Sequence, residues 1–364
     1  MAPLPEAETI DASVLLQSYL EGKTDLFCVL GPTASGKTRY AVRLAREFNR
    51  LLDKAVESPF IRCPDGSVSE TGRSQEENGS GSDRTNGGII PEHRSPKNGM
   101  HGAGCAGAEI ISADSRQVYK GMDIGTGKDM EEYGEIPYHL IDIVPPGSKY
   151  NIYEYQRDFE KAYDDIRHRG GIPILCGGSG LYIEAATCGY SLPEVPADPE
   201  LRAELEKEDT ETLIKRLASL KPLHNTTDFD TRKRLIRALE IAIYEKDHPA
   251  PRTDYLPKHT YYIGTLVSRD ERNARIDRRL DARLEEGMAD EIRRLLDSGL
   301  TPEDLIYYGL EYKYVTMYVT GELDYAQMRE RLAIAIHQFA KRQMTWFRGM
   351  ERQGIRIHWT DPTP

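Results

Sequence analysis

The stretch GPTASGKT, residues 31–38, follows the apolar run DLFCVL and leads into KTRYAVRLAREF. Gly31, Gly36, Lys37 and Thr38 satisfy the pattern G-x-x-x-x-G-K-[ST]. The chemistry of such a stretch is phosphate binding. Its glycines let backbone N–H groups, with those of Ala34 and Ser35 between them, approach phosphate oxygens closely. Lys37 adds a point charge, Thr38 can hold Mg²⁺, and the start of the following helix adds partial positive charge. A bare match arises by chance, so the apolar strand before it and the helix after it carry the reading. The phosphate need not belong to a nucleotide.

A second candidate is Asp114, at the end of the strand-like AEIISAD. In open α/β sheets ligands lie over the carboxyl ends of the strands. A carboxylate there can hold Mg²⁺ or act as a general base; it can equally cap a turn. Nucleotide-hydrolysing or phosphorylating enzymes usually end another core strand in an aspartate that helps hold the metal. Here IPILCGG ends in Gly177 and Gly178 instead, which leaves Asp114 as the best-placed carboxylate and weakens an ATP reading.

Three basic clusters stand out: Arg232, Lys233, Arg234 and Arg237; Arg275, Arg278 and Arg279; and Lys341, Arg342 and Arg348 around Trp346 and Phe347. Each alone reads as a solvated helix face. Together, in a chain of net charge −11, they suit a phosphate backbone with stacked bases. The net charge does not oppose this, because a partner feels the local field.

The elements that must position these groups alternate. DLFCVL, AEIISAD, YHLIDIV, IPILCGG, TYYIGTLVS and IRIHW read as strands, with helical stretches between most of them. Continuous apolar strands separated by helices predict an α/β fold, a P-loop core whose parallel sheet is covered by helices. From about 196 to 258 the pattern changes to three helical stretches with polar linkers, which predicts a small inserted all-helical domain. The core is expected over 12–195 and again, with C-terminal helices, over 259–364. Residues 52–107 are rich in Gly, Ser, Asn and charge and almost free of aromatics, so they predict a disordered insertion. The cysteines, Cys28, Cys63, Cys105, Cys176 and Cys188, form no C-x-x-C pair or zinc spacing and fit a reducing compartment. No stretch nears the ~18 apolar residues of a membrane span, and the acidic N-terminus resembles no targeting peptide. The expectation is a cytoplasmic protein with no membrane partner.

GPTASGKT, IISADSRQVYKGMDIGTGK, YHLIDI, GGSGLYIEA, RLIRALE, RIDRRL and AKRQMTWFRG occur in the order and, apart from the low-complexity insertion, the spacing of one family. The chain resembles the tRNA dimethylallyltransferases (tRNA isopentenyltransferases), and the absence of a zinc-finger extension after HWTDPTP resembles the bacterial type. The resemblance implies transfer of a dimethylallyl group from dimethylallyl diphosphate to the N6 amine of adenosine 37, beside the anticodon, in tRNAs reading codons that start with U. It implies Mg²⁺ as cofactor, the tRNA anticodon arm as partner and a monomeric enzyme. Gly31, Ala34, Ser35, Gly36, Lys37 and Thr38 would then hold the diphosphate, and Thr38 the metal. Asp114 would be the base, Arg279 would reach the diphosphate, and Thr33 would line the channel. Ser115, Arg116, Gln117 and Ser179 would contact the extruded base, with Lys233, Arg234 and Arg237 on the anticodon arm. Two departures are visible: Ser179 stands where the family usually has Thr, and YYGLEYKYV around Gly309 differs from its Gly-Tyr motif.

Three other readings use the same residues. An adenylate isopentenyltransferase would prenylate free AMP, ADP or ATP. A P-loop small-molecule kinase would turn over ATP. An idle RNA-binding module would have lost Lys37, Thr38 or Asp114, and all three are present.

Overall fold

The computed structural model describes residues 5–56, 106–189, 195–220, 231–248 and 257–363. Among these, six strands form one parallel sheet in the order β3-β2-β4-β1-β5-β6. The strands are β1 (Leu26–Leu30), β2 (Ala108–Ser112), β3 (Tyr138–His139), β4 (Ile172–Gly177), β5 (Thr260–Thr265) and β6 (Ile357–Thr360). Helix α1 (Ala12–Leu20) precedes β1, and α2 (Lys37–Val56) links β1 towards β2. Helices α3 (Ile152–His168) and α4 (Gly180–Thr187) flank β4.

The central strand β1 is apolar throughout because both its faces are covered. Phe27 and Val29 join a core with α1 and α2, whereas Leu26, Cys28 and Leu30 join a larger one with α3, α4 and the C-terminal helices. That larger core is completed by α8 (Arg269–Glu286), α9 (Met288–Asp297), α10 (Pro302–Tyr307), α11 (Leu310–Val319) and α12 (Tyr325–Arg352). Helices α5 (Pro199–Leu205), α6 (Thr210–Leu220) and α7 (Arg232–Asp247) bury their leucines against one another in a cluster of their own. Glu240, almost fully buried, stitches this unit: it accepts from Arg202, Arg237 and the Asp198 N–H, which begins α5.

Two expectations change. Of the insertion expected over 52–107, residues 57–105 lie outside the described residues, but Leu52–Val56 finish α2 rather than starting a disordered stretch. YHLIDIV is strand only at Tyr138–His139, because Leu140 and Asp142 take φ values of 63° and 56°, which no ladder accommodates. The turn serves a charge: Asp142 pairs with the buried ammonium of Lys128, which also donates to Asp123 at 2.6 Å and to the Tyr119 carbonyl at 2.7 Å. The tyrosine-rich composition is mainly packing, with Tyr119, Tyr133, Tyr155, Tyr308 and Tyr312 fully buried.

Glu109 sits buried within β2. Burial alone would raise its pKa, but hydrogen bonds from His139 (2.7 Å) and a two-pronged Arg169 (2.6 and 3.0 Å) overcome that and hold it at about 2. A depressed carboxylate stabilises the fold above its unfolded pKa, and that contribution disappears as pH falls from about 4.5 to about 2. Glu109→Gln is therefore expected to lower unfolding free energy at pH 7 by roughly 2–3 kcal/mol. The deficit should shrink towards zero near pH 2. Urea unfolding across that range checks this; an equal deficit at pH 7 and pH 2 would refute it.

Candidate active site at the carboxyl edge of the sheet

The glycine loop GPTASGKT runs from the end of β1 to the start of α2. Gly36 has φ 81°, and Ala34, which carries a Cβ, is held at φ 60°. Such a conformation costs a non-glycine residue on the order of 1–2 kcal/mol and persists only where the surroundings impose it. The surroundings here are specific. The Ser35 hydroxyl is buried 2.7 Å from that of Thr265 at the end of β5. The Thr33 N–H donates to Gln343 Oε1 at 2.8 Å, and Gln343 Nε2 donates to the Gly178 carbonyl at 2.8 Å. One amide on α12 thus joins the loop to the end of β4.

The glycines of CGGSG explain themselves by close approach. A Cβ at Gly177 would lie 2.2 Å from the Ala113 carbonyl oxygen, and one at Gly180 would lie 2.3 Å from the Trp346 ring. That proximity lets the Ala113 N–H donate to the Cys176 carbonyl at 2.7 Å, so β2 and β4 end side by side. Asp114 emerges at that point. Its Oδ1 accepts from the Arg116 N–H at 2.9 Å, the turn-capping bond expected of such an Asp, while Oδ2 has no partner among the described residues. Capping therefore leaves half the carboxylate free. Ser179 Oγ accepts from the Ser115 N–H at 3.2 Å and reaches the Ser115 hydroxyl at 3.4 Å, locking the two strand ends together.

Lys37 is partly buried. Burial lowers its pKa and the nearby Asp114 carboxylate pulls it back up, so the two chemistry-bearing groups feel each other. Beneath them the Cys176 thiol is pushed up to about 12 by burial, which keeps it inert. Beside the loop lies a cleft of ≈ 320 Å³, measured out to its open mouth. It is lined by Thr33 and Ala34, apolar Ile276, Leu280, Met288 and Ile336, and charged Arg279, Arg283 and Glu311. Burial raises the Glu311 carboxyl, with Arg283 opposing. Arg279 pairs with Asp129 and donates to the Gly127 carbonyl at 3.3 Å. An anion entering this cleft would meet a loop of N–H groups, Lys37 and a guanidinium whose present partner is a half-exposed carboxylate. The apolar walls suit a short hydrocarbon.

The remaining candidates divide. Arg116 faces the same edge. Gln117 spends its amide inside, accepting from Ser112 Oγ at 3.1 Å and donating to the Gly127 carbonyl at 3.3 Å. Arg237 clamps Glu240 and the Val195 carbonyl, so its role in this structure is to hold the helical unit together. Lys233 and Arg234 are exposed at the start of α7. Arg232 binds Glu206 and the carbonyls that end α5. Arg275 and Arg278 share Glu271. Phe347 lies fully buried against Trp359 in the core and cannot stack on a base; Trp346 packs over Gly180. Sequence reasoning missed Gln343 and Glu291. The latter accepts the N–H groups of Asp123, Ile124 and Gly125 and the Tyr312 hydroxyl, fixing the MDIGTG loop. The sequence signal for Glu291 was only a carboxylate on an otherwise apolar helix face.

The IPP transferase family model matches residues 117–350 of this chain. The chain belongs to the IPP transferase family. It is 57% identical over 259 residues to tRNA dimethylallyltransferase 1 of Parabacteroides distasonis, covering 70% of this chain and 84% of that one. It is 46% identical over 341 residues to tRNA dimethylallyltransferase 2 of Bacteroides fragilis, covering 93% and 92%. Among solved structures, the tRNA isopentenylpyrophosphate transferase of Bacillus halodurans matches with TM-score 0.57 and 29% identity over 93% of this chain and 90% of that one. A eukaryotic dimethylallyltransferase acting on tRNA shares the fold, with TM-score 0.64 at 20% identity, over 93% of this chain and 74% of that one. Among the described residues no helix is long and apolar enough to cross a membrane.

The Gln343 amide makes a direct prediction for this member of the IPP transferase family. Gln343→Leu keeps the volume but strands the Thr33 N–H and the Gly178 carbonyl. Unfolding free energy in urea should fall by roughly 2–4 kcal/mol. A loss below ~0.5 kcal/mol would show that the two groups find other partners.

Proposed function

We propose that this chain transfers a dimethylallyl group from dimethylallyl diphosphate to N6 of adenosine 37, next to the anticodon, in tRNAs reading codons that start with U. The observation that carries the reading is the half-free carboxylate of Asp114, anchored by the Arg116 N–H and close enough to Lys37 to affect its titration. The names of the curated relatives favour a tRNA acceptor over free AMP or a kinase substrate.

The chemistry follows from the residues. The exocyclic amine of adenine is a poor nucleophile, because its lone pair is delocalised into the ring. Asp114 accepts a hydrogen bond from that amine and takes its proton as the N6–C1 bond forms. The C1–O bond breaks, and its electron pair leaves with the diphosphate. Lys37, Arg279 and the N–H groups of residues 31–38 neutralise the charge that builds there. Mg²⁺, when bound to the diphosphate, supplies further neutralisation. Thr38 would offer it a hydroxyl, its other positions being left to phosphate oxygens and water, so that the free oxygen of Asp114 stays available for the N6 proton. Thr33 lines the cleft where the hydrocarbon would lie. The target base must leave the anticodon stack to reach Asp114. Ser115, Arg116 and Ser179 surround its entry, with Gln117 bracing the loop behind them, and helices α5–α7, presenting Lys233 and Arg234, grip the anticodon arm. We place the reaction in the cytoplasm and assign it to a monomer.

The test is incubation with labelled dimethylallyl diphosphate and, separately, unmodified tRNA and AMP. Label should enter tRNA, and Asp114→Asn should slow transfer by ~10²–10⁴ with tRNA affinity little changed. Transfer to AMP alone, or ATP hydrolysis without any prenyl transfer, would overturn the assignment.

A further inference from the structure

Tyr307 is the last residue of α10 and is 42% exposed, although it adjoins a fully buried tyrosine. Its position is imposed by its neighbours. The Tyr308 hydroxyl accepts from the Gly147 N–H at 2.6 Å and donates to the Ser148 carbonyl at 3.1 Å, and the two rings meet edge to face at 5.5 Å. Gly309 then turns the chain at φ 128°, a value that suits glycine, and starts α11. A capping box from Thr301 and Asp304 fixes the other end of the short helix. With Tyr308 pinned inward and the turn fixed, Tyr307 is left facing outward.

What it faces is the catalytic edge. The Arg116 guanidinium lies over the Tyr307 ring, 5.8 Å from its centroid, and the Arg116 N–H is the group that anchors Asp114. Arg116 forms no ion pair among the described residues. A guanidinium without a carboxylate, laid on an exposed aromatic ring, combines a π-face, a cation and open solvent. That is the surface on which a nucleobase stacks while its phosphate is neutralised.

We propose that Tyr307 and Arg116 form a stacking platform for the nucleotide that flanks the acceptor adenosine. This inference rests on the tRNA reading above and deepens it. Extruding one base breaks its stacking with its neighbours. A platform within two residues of the base Asp114 replaces one lost stack, and so holds the RNA with the adenosine turned inward. Stacking of one base on an aromatic side chain corresponds to about five- to hundredfold in affinity.

The experiment uses an anticodon stem-loop RNA with 2-aminopurine placed singly 5′ or 3′ of the acceptor adenosine. Fluorescence reads stacking and binding without turnover, and prenyl transfer is followed in parallel. One of the two probes should be quenched on binding to the wild-type protein and not on binding to Tyr307→Ala. That variant should raise KM for the RNA about tenfold and change kcat less than about threefold, whereas Tyr307→Phe should match the wild type. Replacing the quenched nucleotide with an abasic one should weaken wild-type binding as much as Tyr307→Ala does, and should add nothing in that variant. Tyr307→Leu keeps side-chain volume without a π-face and should behave like Ala at unchanged thermal stability. Quenching and KM that ignore Tyr307, or losses that simply add, would overturn the platform while leaving the tRNA reading intact. Tyr307-dependent quenching without prenyl transfer would overturn the transfer reaction and keep the platform. No RNA binding at all would remove both.

Discussion

The carboxyl edge of the sheet depends on how closely the strand ends can approach one another. Gly177 admits the Ala113 carbonyl where a Cβ would collide, and Gly178 lies so near the Gly31 carbonyl that a Cβ there would sit 3.2 Å from it. Into the remaining gap α12 inserts the Gln343 amide, which satisfies one donor and one acceptor that packing would otherwise strand. An unmade bond at such a site costs more than a made one contributes. Two backbone segments 145 residues apart, Thr33 and Gly178, are thereby held in one register. The strained φ of Ala34, the partial burial of Lys37 and the outward Asp114 all presuppose it.

A second constraint keeps the opposite wall rigid. The loop from Tyr119 to Asp129 has little apolar content of its own, yet it is fixed by two buried charges, Lys128 and Glu291. Lys128 is bonded to Tyr119, Asp123 and Asp142, and Glu291 to three successive N–H groups and Tyr312. Buried charges stabilise only when so thoroughly partnered. Their value here is positional, because this loop carries Asp129, the partner that holds Arg279 at the cleft. An incoming anion then has to outcompete a half-exposed carboxylate for a guanidinium already in place, a small cost compared with ordering a free arginine.

The legibility of these features follows from their range in sequence. The strand–glycine loop–helix turn could be read because its geometry is encoded in eight consecutive residues and their immediate neighbours. Most strands and helices could be read for the same reason. YHLIDIV could not, since its alternation suits a strand and only the distant Lys128 explains why Asp142 turns away. Gln343 sits in a helix whose pattern marks it as merely polar, and its partners lie 310 and 165 residues off. The basic clusters misled in a similar way. Composition shows the arginines of RKRLIR and RIDRR but not the carboxylates that occupy them, Glu240, Glu206, Glu271 and Asp129. Phe347, read beside Trp346 as a stacking aromatic, is core because α12 turns it towards Trp359.

The exposed ring beside Arg116 comes from a different segment. Helix α12 turns Phe347 and most of its apolar stripe inward, although Tyr325, Ile334 and Phe339 on it stay exposed. The six-residue helix α10, which a glycine turn follows, ends in Tyr307. The stretch YYGLEYKYV, which departs from the family's usual pattern, is therefore where this chain carries an exposed ring beside Arg116. Tyr308 and Tyr312 in the same stretch face inward and hold the Gly147–Ser148 backbone and Glu291. One segment thus holds two backbone loops through buried tyrosines and, one residue before the first of them, leaves an exposed ring under Arg116.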